Sequence, residues 1–386
     1  MLYRYVTDAA GKPVKKAIVW TKNEHGIDLG KIDPDARRII TVLRQYGFAA
    51  YIVGGAVRDL LIHKTPKDFD LVTDAPPPRI KRLFYNARVI GKRFRLVHVI
   101  FGKKIFEVST FRSTAEGTVG NNFGTIHEDV MRRDFTLNAL YYDPVNEYIV
   151  DYVGGVQDIR SRKINPVIPL PAIFVEDPVR MVRAVKYAAA TGFSLPFFLR
   201  RQIKTDSALL GTISPSRITE ELVKILNSGY SAKIVKAAFD LRLYPHLQPA
   251  AAEMCRTSGE FRQAYMRRLA LMDAAAAGIS GPVPAASPLP PSPAGYGEKL
   301  GAFIHDYVLT LRDWEDEKKR GAPYSDLYAF TWAQCRRFVL PMNPQRSELE
   351  YAVRYVLAGL GIVGKTAKKR RTHRGGGRQT PESRSQ

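Results

Sequence analysis

Asp68 and Asp70 stand one residue apart in "KDFDLVT", and about a dozen residues upstream "YIVGGAVRDLL" carries an apolar run into Gly54 and Gly55. On an extended strand both carboxylates share a face while Phe69 points the other way, into the core. Two like charges side by side repel unless a cation joins them. Mg2+ takes carboxylate oxygens and keeps positions for phosphate oxygens, so the pair suggests metal-assisted phosphoryl chemistry. The two glycines let backbone N–H groups approach phosphates with no Cβ in the way, and a helix starting behind them favours anions. Arg58, one turn into that helix, adds positive charge. A surface strand with solvated aspartates would give the same D-x-D spacing, and the spacing alone is weak. The glycine turn beside it tips the reading towards a site.

These groups need a strand–turn–helix and a second strand to hold them, and the surrounding pattern supplies both. "AAYIVGG" reads as a buried strand entering a tight turn, "AVRDLLI" as a helix, and "DFDLVT" as another strand. "DPDARRIITVLRQYG" has helical spacing and stops at Gly47, and "RIKRLFYNA" is helical. "VHVIFG" and "KIFEVSTFR" form a hairpin through "GKK". The expected fold class is α+β: an extension over 1–34, an α/β head over 35–150, then all-α neck and body over 151–245 and 246–362. In the helical part, "DPVRMVRAVKYAAATG" starts acidic with Pro178 and ends at Gly192, and "SPSRITEELVKILNSG" has a serine cap and a terminal glycine. A Pro/Ala-rich loop is expected at 279–297, and a disordered basic tail at 363–386.

At 386 residues the chain exceeds one ordinary core, and 59 Lys plus Arg against 37 Asp plus Glu give a net charge of +22. Such an excess points to a polyanionic partner, nucleic acid before membrane. Cys255 and Cys335 form no C-x-x-C pair, which speaks against a disulfide framework or zinc knuckle. No apolar run approaches the roughly 18 residues of a membrane span, and no signal-peptide core opens the chain, so a cytoplasmic protein is expected. The seven histidines lack ligand spacing, and His98 reads as a packed or hydrogen-bonded strand residue.

"GGAVRDLL…KDFDLVTD" resembles the signature of the class II tRNA nucleotidyltransferase and bacterial poly(A) polymerase superfamily. "EVSTFR" (107–112), "RRDFTLNALYYD" (132–143) and "EDPVRMVRAVKYAA" (176–189) agree in order, so the similarity covers about 25–245. Beyond that it fades, apart from a faint likeness in "RRFVLPMNP". The resemblance implies a polymerase-beta-like nucleotidyltransferase head in which Asp68, Asp70 and Glu107 hold two Mg2+ ions, replaceable by Mn2+. It implies that Gly54, Gly55 and Arg58 face the triphosphate, Arg133 and Asp134 the sugar and phosphates, and that Asn138 supports a metal or phosphate. Lys92 and Arg93 could touch phosphate or form a solvated basic turn.

In "EDPVR", Asp177 and Arg180 lie three apart, so at a helix start they share a face. Unaided, they read as a helix cap with an intrahelical ion pair. Under the resemblance they become base readers, with Arg183 beside them. Adenine offers N6 to Asp177 and N1 to Arg180; cytosine offers N4 and then N3 with O2. Guanine and uracil present the opposite polarity, at about 1–3 kcal/mol per unpaired buried group. ATP and CTP are therefore both admitted. "VIGKRFRLVHVIFG", "KNEHGIDL" and the basic RGG-like end resemble the poly(A) polymerase branch. That branch implies a monomeric, template-independent enzyme of mRNA processing and RNA polyadenylation, adding AMP from ATP to RNA 3′ ends. A CCA-adding tRNA nucleotidyltransferase is the nearest alternative, and a catalytically silent RNA-binding protein the second; the intact carboxylates oppose the latter.

Overall fold

The computed structural model describes residues 2–7, 13–91, 96–113, 124–278, 289–311, 316–317 and 319–363. Residues 364–386 of the expected tail, 279–288 of the expected loop, and Lys92 and Arg93 lie outside the described residues. The chain divides into two compact units, Met1–Gly281 with Phe338–Pro344, and Pro282–Arg337 with Gln345–Gln386.

In the first unit the strands are β1 (Leu2–Thr7), β2 (Pro13–Thr21), β3 (Ala50–Val53), β4 (Asp70–Thr73), β5 (Ala87–Ile90), β6 (Leu96–Phe101), β7 (Lys104–Thr110), β8 (Leu140–Asp143) and β9 (Tyr148–Asp151). They form one sheet in the order β1-β2-β9-β8-β3-β4-β7-β6-β5. Central β3 runs antiparallel to β4 and β8, whereas β4 and β7 are parallel. Period-2 alternation divides the apolar residues between the faces. Tyr51, Val53, Val72, Tyr141 and Val150 cluster with Phe111 and Val130 on one face. Ile52, Leu71, Val99, Phe106 and Val108 alternate with that set and are buried as well. The Pro34–Gln45 helix packs on β3 and β4 and buries Ile39, Ile40 and Leu43, each contributing about 1.5–3 kcal/mol. Its cap is Asp33, whose carboxylate accepts from the Asp35 N–H.

Three local expectations change. The extension over 1–34 does not merely lie on the head, because β1 and β2 extend its sheet and β2 pairs with β9. Ala17 and Trp20 are buried there, so the strand completes a core that β9 would otherwise leave open. Asp68 precedes β4, which begins at Asp70. Val53 is the partner of Asp70 and ends β3, so the ladder has no residue left to pair with Asp68. Ser214 sits at the N-cap of the Pro215–Leu226 helix but makes no side-chain capping bond.

After β9 the chain continues in helices, among them Gly155–Arg160, Leu170–Glu176, Val179–Thr191, Phe197–Asp206, Pro215–Leu226, Ser231–Asp240 and Gly259–Ala276. Buried Asp151, at the end of β9, accepts from the N–H groups of Val153, Gly154, Gly155 and Val156, fixing where the first of these begins. In the second unit the Gly297–Thr310 and Arg346–Gly359 helices pack together, and buried Glu348 accepts from the N–H groups of Ala294 and Tyr296.

Candidate active site

The site grows from the end of β3. Val53 pairs with Asp70 across the β3–β4 ladder, and Gly54 follows at once with φ 71° and ψ −134°, a conformation that glycine reaches without a Cβ penalty. A Cβ on Gly54 would stand 3.8 Å from both Asp70 Oδ2 and Arg133 Nη1, so a carboxylate and a guanidinium meet over that turn. The parallel β4–β7 register pairs Leu71 with Val108, which sets Asp70 and Glu107 side by side on one face. Glu107 is exposed and lies opposite His98, whose Nε2 is 3.8 Å from Glu107 Oε1.

Asp70 keeps contact with solvent, yet the groups around its carboxyl strip enough water to push it above the ordinary carboxylate range. Glu107 and Asp68 push the same way, and Arg133 opposes them. Among the described residues no three His, Cys, Asp or Glu side chains are gathered closely enough to enclose a metal ion. The donor chemistry nevertheless fits a hard divalent cation, because Asp70 bears mutual carboxylate repulsion that such a cation would relieve. Asp70 and Glu107 would hold it, with Asp68 just upstream.

Arg133 is locked in place. It donates from Nε to Tyr141 OH at 2.9 Å, from Nη1 to the Asn138 carbonyl at 3.2 Å and from Nη2 to Asp129 at 3.0 Å. Burial alone would disfavour its charge, but Tyr141 and Asp129 outweigh that and hold the guanidinium protonated. Asp129 in turn accepts from Tyr141 OH and from the Arg112 N–H. Three of five guanidinium donors are thereby used, leaving two for a ligand at the Gly54 rim. Arg58 lies beneath Gly55, pairs with Asp59 at 2.8 Å and donates to Asn138 Oδ1 at 3.0 Å. Asn138 belongs to a 3-10 turn, Thr136–Asn138, against which Gly155 packs so closely that a Cβ would run into the Thr136 carbonyl oxygen.

A second cluster adjoins the first through Arg58, whose guanidinium lies 5.5 Å from the Tyr187 ring centre. Asp134 accepts from Tyr187 OH at 3.4 Å, and Arg183 stands 3.9 Å from Asp134 and 3.5 Å from Glu221. Glu221 is buried, yet Lys186 at 2.6 Å, with Lys224 and Arg183 behind it, keeps its carboxyl below the usual range against the effect of burial. The side chains of Asp177 and Arg180 do not pair with each other, although the Arg180 N–H donates to the Asp177 carbonyl at 3.0 Å. The Val179–Thr191 helix starts after Asp177, whose two oxygens each accept from Arg217 Nη2 at 2.9 Å. Arg180 pairs with Glu176 at 2.9 Å and donates to the Ile173 carbonyl at 3.1 Å.

Gly54, Gly55, Arg58, Asp70, Glu107, Arg133 and Asn138 thus converge, while Asp134 and Arg183 join the second cluster and Asp68 flanks the first. Sequence reasoning passes over Asp129, Tyr141, Tyr187, Arg217 and Glu221. Two of them leave a trace. Asp129 and Arg133 are spaced i,i+4, and Glu221 interrupts the apolar stripe of Ile218, Leu222 and Ile225, where an acid must have buried cations to meet.

The family described as "Poly A polymerase head domain" matches residues 50–165, and "Probable RNA and SrmB-binding site of polymerase A" matches 192–255. Poly(A) polymerase I of Escherichia coli O6:H1 is 38% identical over 255 residues, covering 62% of this chain and 55% of that protein. A CCA-adding enzyme of Bacillus pumilus is 35% identical over 215 residues, covering 54% of each chain. The chain spans about half the length of these relatives. Among solved structures, the Bacillus stearothermophilus CCA-adding enzyme in complex with CTP superposes with a TM-score of 0.56 at 26% identity, covering 85% of this chain and 79% of that one.

Proposed function

We propose that this chain, which belongs to the superfamily of poly(A) polymerases and class II tRNA nucleotidyltransferases, is a template-independent poly(A) polymerase. It adds AMP from ATP to RNA 3′ ends and releases pyrophosphate. The observation that carries this is the Asp70–Glu107 pair set against the Gly54 turn and the fixed Arg133. Mg2+ held by Asp70, Glu107 and Asp68 would lower the pKa of the RNA 3′-hydroxyl and neutralise charge building on the α-phosphate.

The protein's own groups do the rest. Gly54 leaves room for phosphate oxygens, and the two free donors of Arg133 meet them without having to reorganise, because Asp129, Tyr141 and the Asn138 carbonyl already fix the side chain. Asp134 and Arg183 stand ready for the sugar and phosphates. Asp177, oriented by Arg217, accepts from the exocyclic amine of the base. Arg180 would have to exchange Glu176 for the ring nitrogen. The amine contact admits adenine and cytosine alike, so a CCA-adding activity is the second reading, favoured by the likeness to the CTP-bound enzyme. The longer and stronger match to poly(A) polymerase I supports the first. The reading carries with it a monomer acting in the cytoplasm on mRNA and other RNAs.

The direct test is incorporation of labelled AMP into a generic RNA with Mg2+ present, by the parent chain and by Asp70→Asn. Incorporation by the parent and its loss in the variant is expected. Equal incorporation by both would remove Asp70 from the chemistry.

A further inference from the structure

The Phe197–Asp206 helix buries Leu199 and Ile203 and turns its other side to solvent. On that side Phe197 and Phe198 are 71% and 68% exposed, with ring centres 5.5 Å apart at an interplanar angle of 76°. Arg200, Arg201 and Lys204 are exposed on the same helix. Positions 197, 200, 201 and 204 follow the i, i+3, i+4, i+7 spacing, so the Phe197 ring and three cations share one face. None of the three forms an ion pair among the described residues, whereas on other helices Lys224 pairs with Glu220 and Arg256 with Glu253. Two rings left in water and three cations left without anions on one surface call for an occupant that is aromatic and anionic at once.

Single-stranded nucleic acid has that character, with bases that stack on exposed rings and phosphates that meet cations. The face is also well placed. The Leu170–Glu176 helix packs against this one and runs directly into Asp177, so the surface borders the element that carries the base-reading carboxylate. That neighbouring helix carries a further exposed apolar side chain, Val175, 67% exposed.

We infer that this face is the stacking platform for the RNA strand, with Phe197 and Phe198 receiving unpaired bases and Arg200, Arg201 and Lys204 receiving the phosphates between them. This rests on the reading that the chain elongates RNA, and it assigns named residues and a sequence-tolerant mode to the region matched over 192–255.

The test is equilibrium binding of a fluorescein-labelled oligoadenylate of about 20 nucleotides to the full chain without ATP, across a salt series. The double variant Phe197→Ala with Phe198→Ala is expected to weaken binding roughly tenfold or more while keeping the salt slope. Phe197→Tyr with Phe198→Tyr is expected to bind as the parent does. Neutralising Arg200, Arg201 and Lys204 together should flatten the slope of log K against log salt by about 2, at ~0.7 for each phosphate no longer neutralised. With no ATP present, these results stand whether or not AMP is transferred. Unchanged affinity in both the phenylalanine and the cation variants overturns the inference. So does a loss of self-association in sedimentation with RNA affinity intact, which would assign the face to protein contact.

Discussion

Gly155→Ala tests whether the buried scaffold, and not only the carboxylates, sets the site. The new Cβ would collide with the Thr136 carbonyl oxygen and lie 3.0 Å from Leu140 Cδ2. A backbone oxygen cannot rotate away, so helix and turn must part by about 1 Å to reach the ~3.3 Å of an ordinary C···O contact. The displaced turn carries Asn138, whose Oδ1 lies 3.0 Å from Arg58 Nη1 and whose carbonyl lies 3.2 Å from Arg133 Nη1. A 1 Å shift takes both bonds to the edge of hydrogen-bond reach or beyond it, ~3.2 Å. Overpacking costs about 1–3 kcal/mol, and weakening two charge-assisted bonds adds about 1.5–3 kcal/mol. Lower entropy of the unfolded alanine chain returns about 0.4–1 kcal/mol. The net expectation is a loss of about 2–5 kcal/mol in urea unfolding. Arg133 thereby loses one of its three anchors and is no longer held at the Gly54 rim, so single-turnover AMP transfer should also fall about 100-fold, the order expected for a 1 Å misplacement. Gly259→Ala, with nothing within 4 Å of the added Cβ, is the control and should change stability by no more than about 0.5 kcal/mol. A Gly155→Ala protein with parental stability and rate would refute the scaffold argument.

Asp70→Ala is expected to lower transfer by several orders of magnitude while RNA binding stays near parental; retention of more than about a tenth of the rate would contradict the assignment. Arg217→Ala leaves the Asp177 carboxylate held only by the Val179 N–H, so the KM for ATP should rise severalfold with RNA affinity unaffected, measured by initial rates and direct RNA binding. His25 is buried, accepting from the Ile27 N–H at Nδ1 and donating from Nε2 to the Glu147 carbonyl, an arrangement only the neutral ring satisfies. Burial lowers its pKa below 6.5, so the unfolded chain binds more protons and stability should fall as pH drops through 6.5 towards the folded value. Thermal melts across that window should show the slope, and His25→Gln should flatten it. Deleting Lys365–Gln386 removes eight Lys or Arg, and should flatten the salt dependence of RNA binding by up to about 5.6 in log–log slope.

The strand–turn–helix of the candidate site is legible because its signals are local. Alternation marks β3 and β4, Gly54 marks the turn, and the "GKK" connection marks the β6–β7 hairpin. The adjacency of Asp70 and Glu107 is not local. It depends on a parallel register between strands more than 30 residues apart, which only the motif resemblance anticipates. The partners of Asp177 and Arg180 escape the spacing rule for a related reason. An i,i+3 spacing makes contact possible, but Arg217 and Glu176 offer better-placed charges, and the former comes from another helix. The Glu221 and Asp129 networks stay hidden because a charged residue in a helix looks solvated until the opposing cations are known. That β2 joins the sheet of the head is not visible in the pattern, because its partner there, β9, lies more than 120 residues away.

Template-independent adenylate addition and CCA addition part on which RNA is extended and by which nucleotide. An unstructured RNA and a tRNA trimmed of its CCA end are each incubated with the protein and Mg2+, with ATP or CTP supplied separately or both together. A pocket sized for adenine would hold cytosine loosely, at about 2–3 kcal/mol, near 30- to 150-fold in rate. ATP alone is expected to extend the unstructured RNA into a long ladder, with CTP the much poorer substrate. Addition of only two cytidines and one adenosine to the trimmed tRNA, with the unstructured RNA untouched, would contradict template-independent adenylate addition.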